Sequence, residues 1–137
     1  MASFEWSETL SVGVLKIDLH NQHLLGQLRK LGEAFTLHQD NFNLRFEMAD
    51  LIEYAAFHFA CEEIWMARRK YRHLAPHQHQ HERLNRMLAD IGTVLRKPSG
   101  GYWVPEMLTL FRMTLVAHIR TSDASYGFFV SLGYRDR

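Results

Sequence analysis

The fold of this chain is decided by residues 44–70, which read LRFEMADLIEYAAFHFACEEIWMARRK. Apolar side chains recur there every three or four positions, as they do along the buried face of an α-helix. That face carries Leu44, Met48, Leu51, Ala55, His58, Glu62 and Trp65. His58 and Glu62 interrupt it, and a buried carboxylate is unfavourable unless another group pairs with it. The stretch therefore predicts a long core helix in which Glu62 has a partner.

Helical patterns also lie on either side of this stretch, at residues 18–37, 76–97 and 105–122. Pro76 and Pro105 suit the first turn of a helix, and residues 99–101, Ser-Gly-Gly, are a loop signal. Four helices of ~20 residues joined by short loops are typical of an antiparallel up-and-down bundle. The sequence therefore predicts an all-α, four-helix bundle.

The two ends of the chain have different patterns. Residues 1–15 are expected to form an arm that packs through Phe4 and Trp6 and is not helical. Residues 124–137 are expected to form a short helix and a frayed end. A chain of 137 residues is long enough to bury one core. We therefore expect a single domain that spans residues 1–137.

Two further helices carry histidine into their apolar faces. The third helix presents His77, His81, Leu84, Leu88, Ile91 and Leu95 on one arc, and the fourth presents Val104, Phe111, Leu115 and His118. Residues four apart lie on one face of a helix, so His77 and His81 can bind one metal ion. Asp123 follows His118 by five residues, which places it about 140° around an α-helix. Asp123 can join His118 only if the helix ends locally or is placed to present both side chains.

These polar residues fall at similar depth in an antiparallel bundle. The late part of the second helix then meets the early part of the third and the late part of the fourth. Imidazole nitrogen and carboxylate oxygen are ligands for iron and zinc, so the sequence predicts a metal site. Other polar groups of the same types are interpreted as ordinary surface or packed residues, namely His38, His73, His79, Cys61 and Glu63.

Composition excludes several other classes of protein. The formal net charge is +1, and no basic stripe with interleaved aromatic residues is present, so nucleic-acid binding is not expected. Neither a signal peptide nor an apolar stretch of ~18 residues is visible. The single cysteine, Cys61, excludes an internal disulfide framework. A cytoplasmic location is the expectation.

The combination of these motifs resembles the bacteriohemerythrins over nearly the whole chain. The resemblance rests on Trp6, Ser11-Val12-Gly13-Val14, Ile17-Asp18, His58-Phe59-x-x-Glu62-Glu63, Met66, Tyr71, His77-x-x-x-His81 and His118-Ile119-x-x-x-Asp123. In that family a four-helix bundle holds two iron ions joined by an oxo or hydroxo bridge. The resemblance implies that one iron is bound by His77, His81 and His118, and the other by His58. It implies that Glu62 and Asp123 bridge the pair.

This chain departs from the family pattern on its first helix. The pattern Ile-Asp-x-x-His would place a further iron ligand at position 21, which is Asn21. In one interpretation Asn21 replaces the ligand and leaves the second iron open. In the other, a local shift lets His20 or His23 bind. We favour the first, because rotating the helix would expose its leucines.

The resemblance implies a non-haem di-iron protein that binds dioxygen reversibly, as an oxygen or redox sensor or a carrier, and that is not an enzyme. Leu24 and Ile119 are the candidates for an apolar wall around dioxygen. An open second iron predicts fast autoxidation. The alternative is a di-iron redox enzyme acting on peroxide or nitric oxide, and a structural or zinc-binding bundle comes last.

The expected partners are small. Dioxygen or small anions are the implied ligands, and a signalling output domain, fused or separate, is the implied protein partner. The chain is expected to be either a complete single-domain protein or the sensor domain of a longer one.

Overall fold

The structure of the chain is a computed structural model that describes residues 6–36, 41–98 and 100–133. It is an all-α four-helix bundle with a short fifth helix, and the described residues form no strand. The helices are α1 Leu15–Thr36, α2 Asn41–Arg68, α3 Leu74–Leu95, α4 Val104–His118 and α5 Ala124–Ser131. Single 3₁₀ turns occur at Glu8–Leu10 and Gly100–Tyr102. The predicted fold class is confirmed, with helix ends that differ by a few residues.

The core lies between the four long helices, where α1 and α3 each contact both α2 and α4. Its members are the apolar residues that the helical periodicity placed on the inner faces, such as Leu28, Leu51, Leu88 and Leu115. A second, smaller cluster closes one end of the bundle and consists of Ile17, Met66, Tyr71 and Tyr126. No described helix is both long and apolar enough to cross a membrane.

The N-terminal arm is fixed to the bundle by one carboxylate. Asp18 accepts hydrogen bonds from the Val12 backbone N–H at 2.9 Å and from the Ser11 hydroxyl at 2.6 Å. Trp6 packs against the main core, as predicted, whereas Phe4 lies outside the described residues. Gly127 of α5 meets the arm so closely that a Cβ atom there would lie 2.0 Å from the Val12 carbonyl oxygen.

The fourth helix does not continue regularly to residue 122, as the sequence predicted. It changes at Ile119–Asp123 into a single π-helical turn, and the N–H of Ala124 donates to the carbonyl oxygen of Ile119, five residues earlier. A turn of this kind inserts an extra residue into the helix. Residues five apart consequently come to one face. The turn thus brings Asp123 to the side of His118, which a regular α-helix would not do.

Candidate metal centre

The residues of the three motifs meet inside the bundle. His77 and His81 come from the first turns of α3, His118 from the end of α4, and Asp123 from the π-helical turn. All four are buried, and one potential ligand atom from each lies within 4.8 Å of those of the others. We call this group the closed end of the site. Glu62 of α2 borders it and is fully buried.

The atoms that face one another at the closed end have no hydrogen-bond partner among the described residues. They are His77 Nε2, His81 Nε2, His118 Nε2, Glu62 Oε1 and Asp123 Oδ1. Asp123 Oδ1 is 3.1 Å from Nε2 of both His77 and His118, but the contacts are not aligned as hydrogen bonds. Buried polar atoms are nearly always satisfied. Three imidazole nitrogens and two carboxylate oxygens that converge without partners fit a bound cation.

The opposite ring nitrogens of two of these histidines are held by neighbouring side chains. His81 Nδ1 is 2.7 Å from Glu63 Oε2, and His118 Nδ1 is 2.6 Å from Gln80 Oε1. The hydroxyl of Ser122 also donates to Gln80 Oε1, at 2.6 Å. Partners of this kind fix the ring orientation and leave Nε2 directed at a metal.

Glu63 was predicted to be a surface charge, and that prediction is wrong. It is half-buried, and it accepts a hydrogen bond from Gln78 as well as contacting His81. The sequence analysis also missed Gln80. Gln80 lies three residues from His77 and one from His81, so proximity to the motif was the available signal. Which neighbouring side chains reach a histidine ring nitrogen depends on how α2, α3 and α4 are rotated about their axes. The hydrophobic periodicity of the sequence does not determine that rotation.

These contacts and the burial of the closed end shift the pKa values of its side chains. Burial alone would lower the pKa of His81, but the carboxylates of Glu62 and Glu63 outweigh it and raise that pKa to about 9. The hydrogen bond from His81 lowers the pKa of Glu63. Burial would raise the pKa of Asp123, yet His118 and His77 hold it well below the usual range. Burial lowers the pKa of His77. The carboxylate of Asp123 is therefore ionised, the form in which it could bind a metal ion.

A second group of side chains that could bind a metal lies next to the first and is less buried. His58 Nδ1 of α2 and His20 Nε2 of α1 are 2.5 Å apart, and His20 Nδ1 is 3.2 Å from Glu62 Oε2. His20 and His58 are both half-buried. Burial, and then the neighbouring His20, lower the pKa of His58. We call His20, His58 and this oxygen of Glu62 the half-exposed end of the site.

The structure brings His20, and not position 21, beside His58. The interpretation favoured from the sequence, in which Asn21 replaces the ligand and leaves the second iron open, stays a prediction. It assumed that the helix would have to rotate, but Leu24 and Leu28 remain fully buried while His20 reaches in from the border of the apolar face. His23 is exposed and stacks at 4.1 Å on the ring of Tyr54.

Asn21 is buried on the inner face of α1, as predicted. Its side-chain Nδ2 donates a hydrogen bond of 3.0 Å to Asp123 Oδ2, the oxygen that does not face the histidines. Leu24 and Ile119, the predicted apolar wall, are both fully buried in the main core cluster. Of the remaining histidines, His73 and His79 are exposed, as predicted, and His38 lies outside the described residues.

The chain is similar in sequence to proteins of one family. The family described as "Hemerythrin HHE cation binding domain" matches residues 12–127. The protein called "Bacteriohemerythrin" of Stenotrophomonas maltophilia (strain R551-3) is 29% identical over 126 residues, which cover 92% of this chain and 80% of that protein. The "Bacteriohemerythrin" of Pseudomonas aeruginosa (strain LESB58) is 26% identical over 126 residues, which again cover 92% of this chain and 80% of that protein. No solved structure matches with comparable significance.

Proposed function

This chain belongs to the hemerythrin HHE cation binding domain family, and on that premise we propose that its buried site holds two iron ions and binds dioxygen reversibly. The observation that carries the proposal is the convergence of five unpartnered, buried ligand atoms at the closed end. Such atoms would be costly in a metal-free core, and their nitrogen and oxygen chemistry suits iron. Two irons bound there would supply the electrons that dioxygen takes up on binding and gives back on leaving.

The ligands divide between the two ends of the site. His77, His81 and His118 would hold one iron, and His20 and His58 the other. Glu62 would bridge them, because its Oε1 lies 3.4 Å from His81 Nε2 while its Oε2 contacts His20. Asp123 would be the second bridge, with Asn21 supporting it instead of acting as a ligand.

Dioxygen would enter at the half-exposed end. His20 and His58 are the least buried members of the ligand set, whereas the closed end is shut in by the core. The proposed role is that of an oxygen or redox sensor or a carrier in the cytoplasm, with an output domain, fused or separate, as partner if it is a sensor. Small anions are expected to compete with dioxygen for the same end.

Metal analysis and spectroscopy test this proposal directly. We expect about two irons per chain, near-ultraviolet absorption from an oxo or hydroxo bridge, and a visible band when the reduced, oxygen-free protein is exposed to air. Removing the dioxygen should reverse the band. Zinc in place of iron, or no metal at all, would overturn the proposal.

The half-exposed end also favours a second candidate, a di-iron redox enzyme, because peroxide or nitric oxide could reach it as readily as dioxygen. Steady-state assays with both compounds distinguish the two functions. Turnover of either compound by the iron-loaded protein, faster than by His77→Ala protein, would support the enzyme. Stoichiometric, reversible binding without turnover would support the carrier or sensor.

The assignment of His20 has its own test. His20→Ala should remove a ligand from the second iron, so the air-exposed protein should oxidise faster than the parent protein. His23→Ala is the matched control, because His23 lies on the same helix and is exposed. Equal oxidation rates in both variants would indicate that Asn21 does leave the second iron open.

A further inference from the structure

A cavity of about 730 Å³ lies between the start of α1 and the end of α2, outside the metal site. It is lined by Val14, Leu15, Lys16, Trp65, Arg68, Arg69 and Tyr126, which we call the α1–α2 pocket. Its volume falls within the range of about 300–1,000 Å³ that is usual for small-molecule sites. None of its lining residues is a ligand in the site described above.

The charged side chains that line the α1–α2 pocket are all positive. Lys16, Arg68 and Arg69 line it, and no lining residue is acidic. The chain as a whole carries a formal charge of only +1, so this concentration of cations is local. Together these features favour an anion.

The rest of the wall is apolar. Leu15 is 71% exposed, and Val14 and Trp65 are half-buried. The Nζ atom of Lys16 lies over the ring of Trp65, 5.0 Å from its centre, so the cation and the aromatic ring are already in contact. An inorganic ion would leave this apolar surface uncovered. A ligand with an apolar body beside its charge would cover it.

We propose that the α1–α2 pocket binds a small organic anion, in which a phosphate or carboxylate is attached to a planar apolar body. The guanidinium of Arg68 can bind either group through two parallel hydrogen bonds. Lys16 supplies a second charge, and Trp65 supports the body of the ligand. Both cations can be removed without disturbing the core, because both are exposed.

The pocket is connected to the half-exposed end of the metal site through one ring contact. The rings of Trp65 and His20 are 5.2 Å apart and inclined by only 31°. His20 in turn contacts His58 and Glu62. A ligand that holds Trp65 in place thereby restrains His20. Occupancy of the pocket should therefore alter the environment of the second iron, and this second step rests on the proposed function.

Calorimetry with simple probes tests the binding step. Phenyl phosphate should bind the purified protein at one site per chain, and more weakly as salt rises. Inorganic phosphate has the anionic group without the apolar body, and phenol has the apolar body without the anionic group. Each should bind at least about tenfold more weakly than phenyl phosphate. Inorganic phosphate binding as tightly as phenyl phosphate would overturn the requirement for an apolar body. Benzoate in a further titration shows whether a carboxylate replaces the phosphate.

Variants locate the site. Arg68→Gln and Lys16→Gln should each weaken phenyl phosphate binding by about tenfold, the loss expected for one charge-assisted hydrogen bond. Arg83→Gln, an exposed charge on α3, is the matched control and should bind like the parent protein. Equal binding by Arg68→Gln and Arg83→Gln proteins, with unchanged far-ultraviolet circular dichroism, would overturn the proposed pocket.

The connection to the metal has a spectroscopic test. Titrating phenyl phosphate into the iron-loaded protein should shift its visible absorption, and the shift should saturate with the calorimetric affinity. Trp65→Leu should remove the shift. A shift that saturates at the same phenyl phosphate concentration in Arg68→Gln protein as in the parent protein would reveal direct binding to iron and overturn the connection. Failure of the iron proposal would appear in the metal analysis, whereas failure of the pocket would appear in the calorimetry.

Discussion

Asn21 on α1 donates a hydrogen bond from Nδ2 to Oδ2 of Asp123, a residue 102 positions later in the chain. Both side chains are buried. The bond is made to Oδ2 of the carboxylate, while Oδ1 lies 3.1 Å from Nε2 of both His77 and His118. Asn21 therefore supports the carboxylate that is proposed to bridge the two irons.

Replacing Asn21 with leucine tests this support. The change keeps the size of the side chain but leaves Asp123 Oδ2 buried without a donor, so we expect the free energy of unfolding to fall by about 1–3 kcal/mol. Urea titration of the iron-loaded protein measures it. Gln22→Ala, at the exposed neighbouring position, should change it by less than ~0.5 kcal/mol. Equal stability of the two variants would contradict a supporting role.

The sequence predicted the four long helices and the inward direction of five polar residues, namely His58, Glu62, His77, His81 and His118, because both follow from a period of 3.6 residues. It gave His20 as a ligand only in the less favoured of two interpretations, since a residue at the border of an apolar face can point either way. It also left the partnership of His118 and Asp123 open. The π-helical turn that joins them arises from tertiary packing and has no local signal. Glu63 was misjudged because its contact with His81 depends on the rotation of two helices.

Metal content should respond differently to two histidines on α3. His77→Ala removes a buried imidazole from the closed end, so the iron content should fall from about two per chain to less than one. His79→Ala should leave it unchanged, because His79 is exposed on the other side of the helix. Iron analysis after gel filtration measures both. Equal losses of iron from the two variants would refute the assignment of His77 to the inner side of α3 and of His79 to its outer side.

The partner of His81 should affect iron affinity without being a ligand. Glu63→Gln weakens the hydrogen bond that orients the imidazole, and changes to such outer partners cost about 10–100-fold in metal affinity. Competition with a chelator measures the affinity. The matched control is Glu53→Gln, an exposed carboxylate on the same helix, which should retain the parent affinity. Identical chelator curves would show that Glu63 is only a surface charge.

The free energy of unfolding of the iron-free protein should depend on pH because of His81. Its pKa rises from 6.5 to about 9 on folding, because Glu62 and Glu63 offset the cost of burial. A raised pKa contributes stability fully below pH 6.5, and the contribution is lost as pH rises through about 9. We expect a loss of up to roughly 3 kcal/mol over that range, measured by urea titration at several pH values. His81→Leu protein lacks the titrating group, and its curve should be nearly level there.

Gly127 should tolerate no side chain. An added Cβ would meet the Val12 carbonyl oxygen at 2.0 Å, so Gly127→Ala must displace the arm or α5. Overpacking of this kind costs about 1–3 kcal/mol, measurable by thermal unfolding. Gly26→Ala is the control, because it lies inside α1 with open space around it and should instead add up to about 1 kcal/mol. Stabilisation by both variants alike would mean that helix propensity outweighs any contact between residue 127 and the arm.

The π-helical turn at Ile119–Asp123 has a consequence beyond the metal ligands. If residues 119–123 took up a regular α-helix with no residue removed, everything after them would turn by about 100°. Tyr126 would leave the small cluster that it shares with Ile17, and Gly127 would leave its place against Val12. One extra residue thus sets both the ligand spacing and the docking of the N-terminal arm. Neither property can change through the conformation of this turn without changing the other.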